Sequence, residues 1–390
     1  YKRYSMTIVT NRMLLFFIFL IINVPNVEVE YGGSILKIYN AIFFLLLLLY
    51  IKKPQWKLHM ISSYLLFIVL FFTAYLIING RDEHLIAIAN SYIPNEWQVL
   101  YGKQVFDDFY RSTTVSLFQL ANFLILVFYF NFFHNVNRSL FLFDSMKYVL
   151  AISILTQISI SIIQLVAFNN DRPSGSFGNA QSLGFFYLLC ICYYSVFLPS
   201  WKKSISIIVL LLAIIITGTR SALFIAIIIT ALNMLNISVF MRKLILFLLF
   251  ISVVILCSLF SSSDVFRGVI LEIIGLFTSP HSMYVRGLMW NSFYQTLTES
   301  PLFGTKGITV YFADNFFWFF ILSYGICGAV FIGVFFLSII RSANSKFVFF
   351  LGVCTIIQSV SYYGFFIENM GVVLTIFLAI SLNHKVKIGY

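Results

Sequence analysis

The sequence predicts an all-α, polytopic transmembrane helical bundle of about 12 spans, with a long outer loop between spans 9 and 10. Three observations predict it. The 390 residues are 61% apolar and only 10% charged, with a mean hydropathy of +0.96, whereas a soluble domain carries roughly 25% charged residues. The 46 Phe and 22 Tyr suit long aromatic-rich helices with tyrosines at their interfacial ends. The apolar runs also recur near the roughly 20 residues that the hydrocarbon core demands.

In order, the spans are expected at 6–24, 33–50, 58–79, 112–133, 146–168, 181–199, 203–218, 220–238, 242–260, 316–340, 346–362 and 366–382. The whole chain, 1–390, reads as one integral membrane domain. The first apolar run, Met13 to Val24, lacks a small-residue cleavage site and is read as a retained span. Spans 203–238 and 346–382 have almost no linker between their halves and must form tight hairpins. Lys37 falls within the second span.

The loops alternate in charge, which orients the bundle. One side collects sixteen basic residues, among them Lys52, Lys147, Lys203, Arg242 and Lys346, against a single acid, Asp144. The other side holds eight basic residues and thirteen acids. By the positive-inside tendency the first side is cytoplasmic and contains both termini. Two outer segments are longer than connectors need to be. Residues 81–111, with Pro94, Trp97 and Tyr101, read as an interfacial helix, and 261–315 is the longest non-spanning segment.

Composition also excludes classes. The net charge of +11 lies in small clusters between apolar runs, not in a continuous basic stripe, so nucleic acid is not an expected partner. Cys190, Cys192, Cys257, Cys327 and Cys354 all fall in apolar runs and read as small buried hydrophobes. No phosphate-binding glycine loop, HExxH, zinc-ligand spacing or nucleophile elbow is present. ATP-driven and common hydrolytic classes are thereby disfavoured, and neither a metal nor a cofactor is expected.

The remaining polar residues concentrate on the outer side. Arg220 follows Thr217-Gly218-Thr219 between two apolar runs, on the face where positive charge is scarce. A guanidinium so close to hydrocarbon needs water, a partner or an anion; the alternative is a snorkelling arginine that caps a hairpin. Arg286 lies in a candidate amphipathic helix, Tyr284 to Leu297, which serves either as a headgroup anchor or as one wall of a cavity. Arg172 lies in a Pro- and Gly-shaped loop, 169–179, that either meets a sugar or phosphate or is an ordinary turn paired through Asp171. Asp314, with Glu299 and His281, offers carboxylates and an imidazole from which a base can be drawn; singly, each also reads as a solvated loop residue.

Four stretches then resemble one known superfamily. IIITGTRSALF (214–224) resembles the threonine/serine-arginine signature of bacterial O-antigen polymerases and ligases. RPSGSFGNAQSLGFF (172–186) resembles the preceding loop, VRGLMWNSFYQTLTESPLFGTKG (285–307) the arginine-helix-proline-leucine-glycine segment, and DNFFWFFILSYGICGAVFIG (314–333) the span that follows. The resemblance covers residues 170–335. It implies a metal-independent membrane glycosyltransferase acting on undecaprenyl-pyrophosphate-linked oligosaccharides at the periplasmic face of the bacterial inner membrane, with inversion at the anomeric carbon. A chain-length regulator is a further partner it implies, beside membrane lipid. The family arginines that serve the pyrophosphate correspond to Arg220 and Arg286; Asp314 is the candidate catalytic base, with sugar binding or neither role as the alternatives. Arg172, Asn179, Tyr284, His281, Glu299 and Asn315 are the expected substrate contacts. The ligase branch usually carries histidine where this chain has Asp314, which favours a polymerase over a ligase. A flippase fits less well, because Lys37 is the only Lys or Arg assigned to a span.

Overall fold

In hydrocarbon every backbone N–H and C=O needs an internal partner, so long apolar runs fold as helices. The computed structural model describes residues 2–24, 30–31, 34–35, 38–50, 58–80, 113–135, 139–170, 172–235, 237–262, 297–307, 315–360 and 369–382. Among them are twelve helices of at least 13 residues. They are α1 (Lys2–Asn23), α2 (Ile38–Tyr50), α3 (Met60–Asn79), α4 (Thr113–Asn135), α5 (Ser139–Ala167) and α6 (Ala180–Phe197). The chain continues through α7 (Ser200–Ile216), α8 (Arg220–Met234), α9 (Val239–Ser262), α10 (Phe316–Ser342), α11 (Lys346–Gln358) and α12 (Asn369–Ser381). Each falls on one of the apolar runs. Five are long and apolar enough to cross a membrane by length and composition: α3, Ser145–Ala167 of α5, α6, Val239–Leu256 of α9, and α10.

One stretch departs from the expected helix. Glu30–Tyr31 (β1) pairs antiparallel with Ser34–Ile35 (β2), Glu30 opposite Ile35. Helix α2 consequently begins at Ile38 and not at 33, and Lys37 precedes it.

Helix α6 is the axis of the packing, with 15 of its 18 residues buried among α7, α8 and α11. Gly184 lets α8 approach: a Cβ there would lie 2.9 Å from Thr219 Oγ1 and 3.1 Å from Ala222 Cβ. Close approach through small residues is how helices associate where lipid supplies no hydrophobic drive. Cys192 Sγ lies 3.4 Å from Cys354 Sγ, both thiols free and buried between α6 and α11.

Helix α10 is broken at Gly325 (φ 57°, ψ −136°), roughly 14 Å along the helix from its start at 1.5 Å per residue. Residues 300–307 enter this break. Thr305 N donates to Leu322 O at 2.6 Å, Gly307 N to Ser323 O at 2.8 Å, and Ile326 N to Leu302 O at 3.1 Å. Side chains at Gly304 and Gly325 would strike Leu322 O and Leu302 O respectively. Phe303 stacks on Phe71 and Tyr75 of α3 at 5.7 and 6.0 Å. Residues 302–307 thus pack into the break, their turns satisfying backbone groups that it releases.

The two ends of the bundle differ in chemistry. At one end Tyr194 Oη donates to Lys147 O at 3.2 Å, and Lys346 Nζ donates to Asn233 O at 2.9 Å. Arg242 donates there to Ile237 O and Asn344 O, and Lys203 and Arg242 both act electrostatically on Lys346. The loops read as basic from sequence therefore converge where described. The opposite end carries the 172–179 loop, the 217–219 turn and the start of α10.

Candidate functional site

The hairpin between α7 and α8 is only three residues long. Gly218 takes φ 65°, the left-handed conformation glycine tolerates best. Thr217 Oγ1 donates to Ile214 O at 2.7 Å and lies 2.6 Å from Thr219 Oγ1. Thr219 Oγ1 donates in turn to Ala180 O at 3.1 Å, joining the hairpin to the first residue of α6. Both threonines are buried, so their hydroxyls are structural, whereas Arg220, the first residue of α8, is exposed.

The loop before α6 lies against that hairpin. Arg172 is exposed, and its Cγ would sit 3.7 Å from a Cβ placed on Gly218. Two arginines far apart in sequence therefore flank one short turn. Behind Arg172 the loop is held by α5: Gln164 Oε1 accepts from Ser174 N and Gly175 N, both at 2.9 Å, and Gln157 Oε1 accepts from Ser176 N at 2.9 Å. Asn179 ends the loop as the N-cap of α6, its Oδ1 accepting from Gln181 N at 2.8 Å.

The start of α10 and the end of α11 close the same surface. Asn315 is fully buried and caps α10, its Oδ1 accepting from Phe317 N at 2.9 Å and Trp318 N at 3.1 Å. Phe316 N donates to Ser359 O at 2.8 Å. Next to Ser359, Gln358 Nε2 reaches Ser221 Oγ at 3.4 Å, beside Arg220. The Gln358 side chain is buried, and its Oε1 has no hydrogen-bond partner among the described residues.

Of the residues singled out from sequence, the structure brings Arg172, Asn179, Arg220 and Asn315 to one end of the bundle. The two asparagines turn out to be helix caps, a use that fixes the backbone around the arginines. Glu299 is exposed in a helical turn at 297–299, just before the segment that enters the α10 break. Arg286, Asp314, His281 and Tyr284 lie outside the described residues. Sequence reasoning passed over Gln157, Gln164 and Gln358. Their one signal was a carboxamide inside or at the end of an apolar run, where an unsatisfied polar group is costly.

Two exposed arginines flanking one short turn suit a phosphate or pyrophosphate, which takes bidentate, charge-assisted hydrogen bonds from guanidiniums. Asn23, Gln157 and Ser176 form a second polar cluster, but its hydrogen bonds run among themselves and to Ser153 Oγ, Phe19 O and Ile22 O. No protein-family model matches the chain, and no curated protein matches it either.

Proposed function

We propose that this chain is a surface-polysaccharide polymerase of the O-antigen type: a metal-independent membrane glycosyltransferase that joins undecaprenyl-pyrophosphate-linked repeat units with inversion at the anomeric carbon. In this reading all twelve helices span the bacterial inner membrane, both termini are cytoplasmic, and the end bearing Arg172 and Arg220 faces the periplasm. The resemblance of the four sequence stretches supports it. The observation that carries it is the packing of Arg172 against Gly218, which sets Arg172 beside the turn leading to Arg220, at the end away from the basic loops.

The mechanism follows from charge. When the growing chain is transferred to the non-reducing end of a new unit, the glycosyl–oxygen bond to the carrier breaks and charge builds on the departing pyrophosphate. Guanidiniums held against that oxygen stabilise the transition state more than the ground state, and so raise turnover as well as affinity. Arg220 and Arg286 take this role, Arg172 binds the same headgroup, and Asp314 is the candidate base that accepts the proton of the attacking hydroxyl.

The test is incubation of purified protein with lipid-linked repeat units. A ladder of products is the expected outcome. A single transfer to lipid A-core indicates a ligase, and no transfer of either kind overturns the proposal. Cysteine-accessibility labelling checks the topology independently: position 299 should label from the periplasmic side, and labelling only after the inner face is exposed would sink that orientation.

A further inference from the structure

Helix α5 carries two glutamines in an otherwise apolar stretch, Gln157 and Gln164, two turns apart and so on one face. Carboxamides in a hydrocarbon-facing helix are costly unless their hydrogen bonds are made. Here they make them with successive residues of one loop, Gln164 with Ser174 and Gly175 and Gln157 with Ser176. Gln164 accepts from Ser174 N and Gly175 N and returns a bond from Nε2 to Gly175 O at 3.1 Å. Gln157 accepts from Ser176 N, and its Nε2 lies 2.6 Å from Ser176 Oγ and 3.0 Å from Ile22 O of α1. Gly175 has φ 59°, and a Cβ there would collide with Gln157 Oε1, so the grip admits only glycine.

This arrangement fixes residues 174–176 from behind. The buried Pro173 restricts the next backbone torsion, and Arg172 N is itself held by Asn170 Oδ1 at 3.1 Å. The direction in which Arg172 leaves the loop is therefore set by α5, while its stem rests on the hairpin that begins with Thr217 and leads to Arg220. We propose that Gln164, backed by Gln157, is a positioning residue that holds Arg172 against the 217–219 hairpin, so that Arg172 and Arg220 address one phosphate-bearing headgroup. The headgroup part rests on the function proposed above; the clasp itself does not.

Two measurements on the full-length, otherwise cysteine-free protein separate these parts. In the first, Arg172→Cys with Gly218→Cys should cross-link under mild oxidation. Adding Gln164→Met, which removes three hydrogen bonds, should slow cross-linking by roughly tenfold. Gln164→Glu keeps an acceptor for both N–H groups and should recover most of the rate. In the second, single-turnover transfer from a lipid-linked repeat unit is normalised to folded protein. Gln164→Met should lower it by roughly fivefold with Arg172 present and by less than about twofold in an Arg172→Ala background, the non-additivity expected of residues acting as one unit. No cross-link in the starting pair, or an unchanged rate with Gln164→Met, overturns the clasp. Full additivity in transfer makes Gln164 merely structural and also overturns the proposal. If the protein transfers nothing at all, the headgroup reading fails while the cross-linking arm still judges the clasp.

Discussion

The two ends of the bundle use cations in opposite ways. At the basic end Arg242 and Lys346 reach across loops to carbonyls of Ile237, Asn344 and Asn233, at or near the ends of α8 and α10. Cations there satisfy acceptors that a helix terminus leaves open and complement its dipole. At the other end, neutral groups hold the backbone: Thr217 and Thr219 in the hairpin, Gln157 and Gln164 in the loop, Asn179 and Asn315 at the caps. Arg172 and Arg220 sit exposed on that scaffold. Positive charge at the first end serves helix ends; at the second, the function proposed above gives it an anion to meet.

The largest effect should come from removing Arg220. If it opposes charge on a departing pyrophosphate, Arg220→Ala should lower single-turnover transfer on the order of 100-fold or more, as loss of one oxyanion donor does. Arg220→Lys should recover only part, since an ammonium lacks the two-pronged fork. Membrane abundance should stay near normal. Normal transfer by the alanine variant would remove the distinction between the ends; loss of folded protein would make Arg220 an anchor like Arg242.

The converse experiment is Arg242→Ala. Its hydrogen bonds to Ile237 O and Asn344 O tie the α8–α9 loop to the α10–α11 loop, and charge-assisted bonds of this kind contribute roughly 1.5–3 kcal/mol each before exposure is discounted. With Arg242 itself half-buried, a net loss of about 1–2 kcal/mol is expected. Thermal unfolding in detergent should show it as a lowered midpoint, with transfer per folded molecule within about twofold of normal. A large loss of transfer without loss of stability would assign this end a part in the chemistry.

How far these features were legible in sequence depends on whether they are local. Apolar runs declare helices because lipid leaves the backbone no alternative, and all twelve runs carry one. The α10 break is a different case. Tyr324-Gly325-Ile326 reads as helix interior, because glycine is common in membrane helices; only the arrival of Leu302 and Thr305 at that depth shows that the ladder is interrupted. Likewise Arg172 and Arg220 each stood out alone, but nothing in their separate neighbourhoods says that one rests beside the turn leading to the other. Gln157 and Gln164 were hidden because a scattered carboxamide in a long apolar run barely alters its hydropathy.

The smallest expected effect tests the neutral scaffold directly. Thr219→Val keeps the volume and the β-branch of the side chain but deletes the hydroxyl that donates to Ala180 O and faces Thr217 Oγ1. The loss leaves a buried carbonyl at the start of α6 with one partner fewer, which costs about 1–2 kcal/mol, while no charge changes. If hydroxyls at this end set the spacing between the hairpin and the 172–179 loop, the variant should also transfer a few-fold more slowly per folded molecule. Thr219→Ser should restore both properties, because Oγ returns to the same place. Gly184 makes the readout sharper, since it already admits Thr219 at close range and leaves little room for the hairpin to settle elsewhere. A lowered unfolding midpoint with unchanged transfer would mean the hairpin tolerates looser seating. The arginine end would then resemble the basic end more closely than its geometry suggests, with its hydroxyls contributing stability alone.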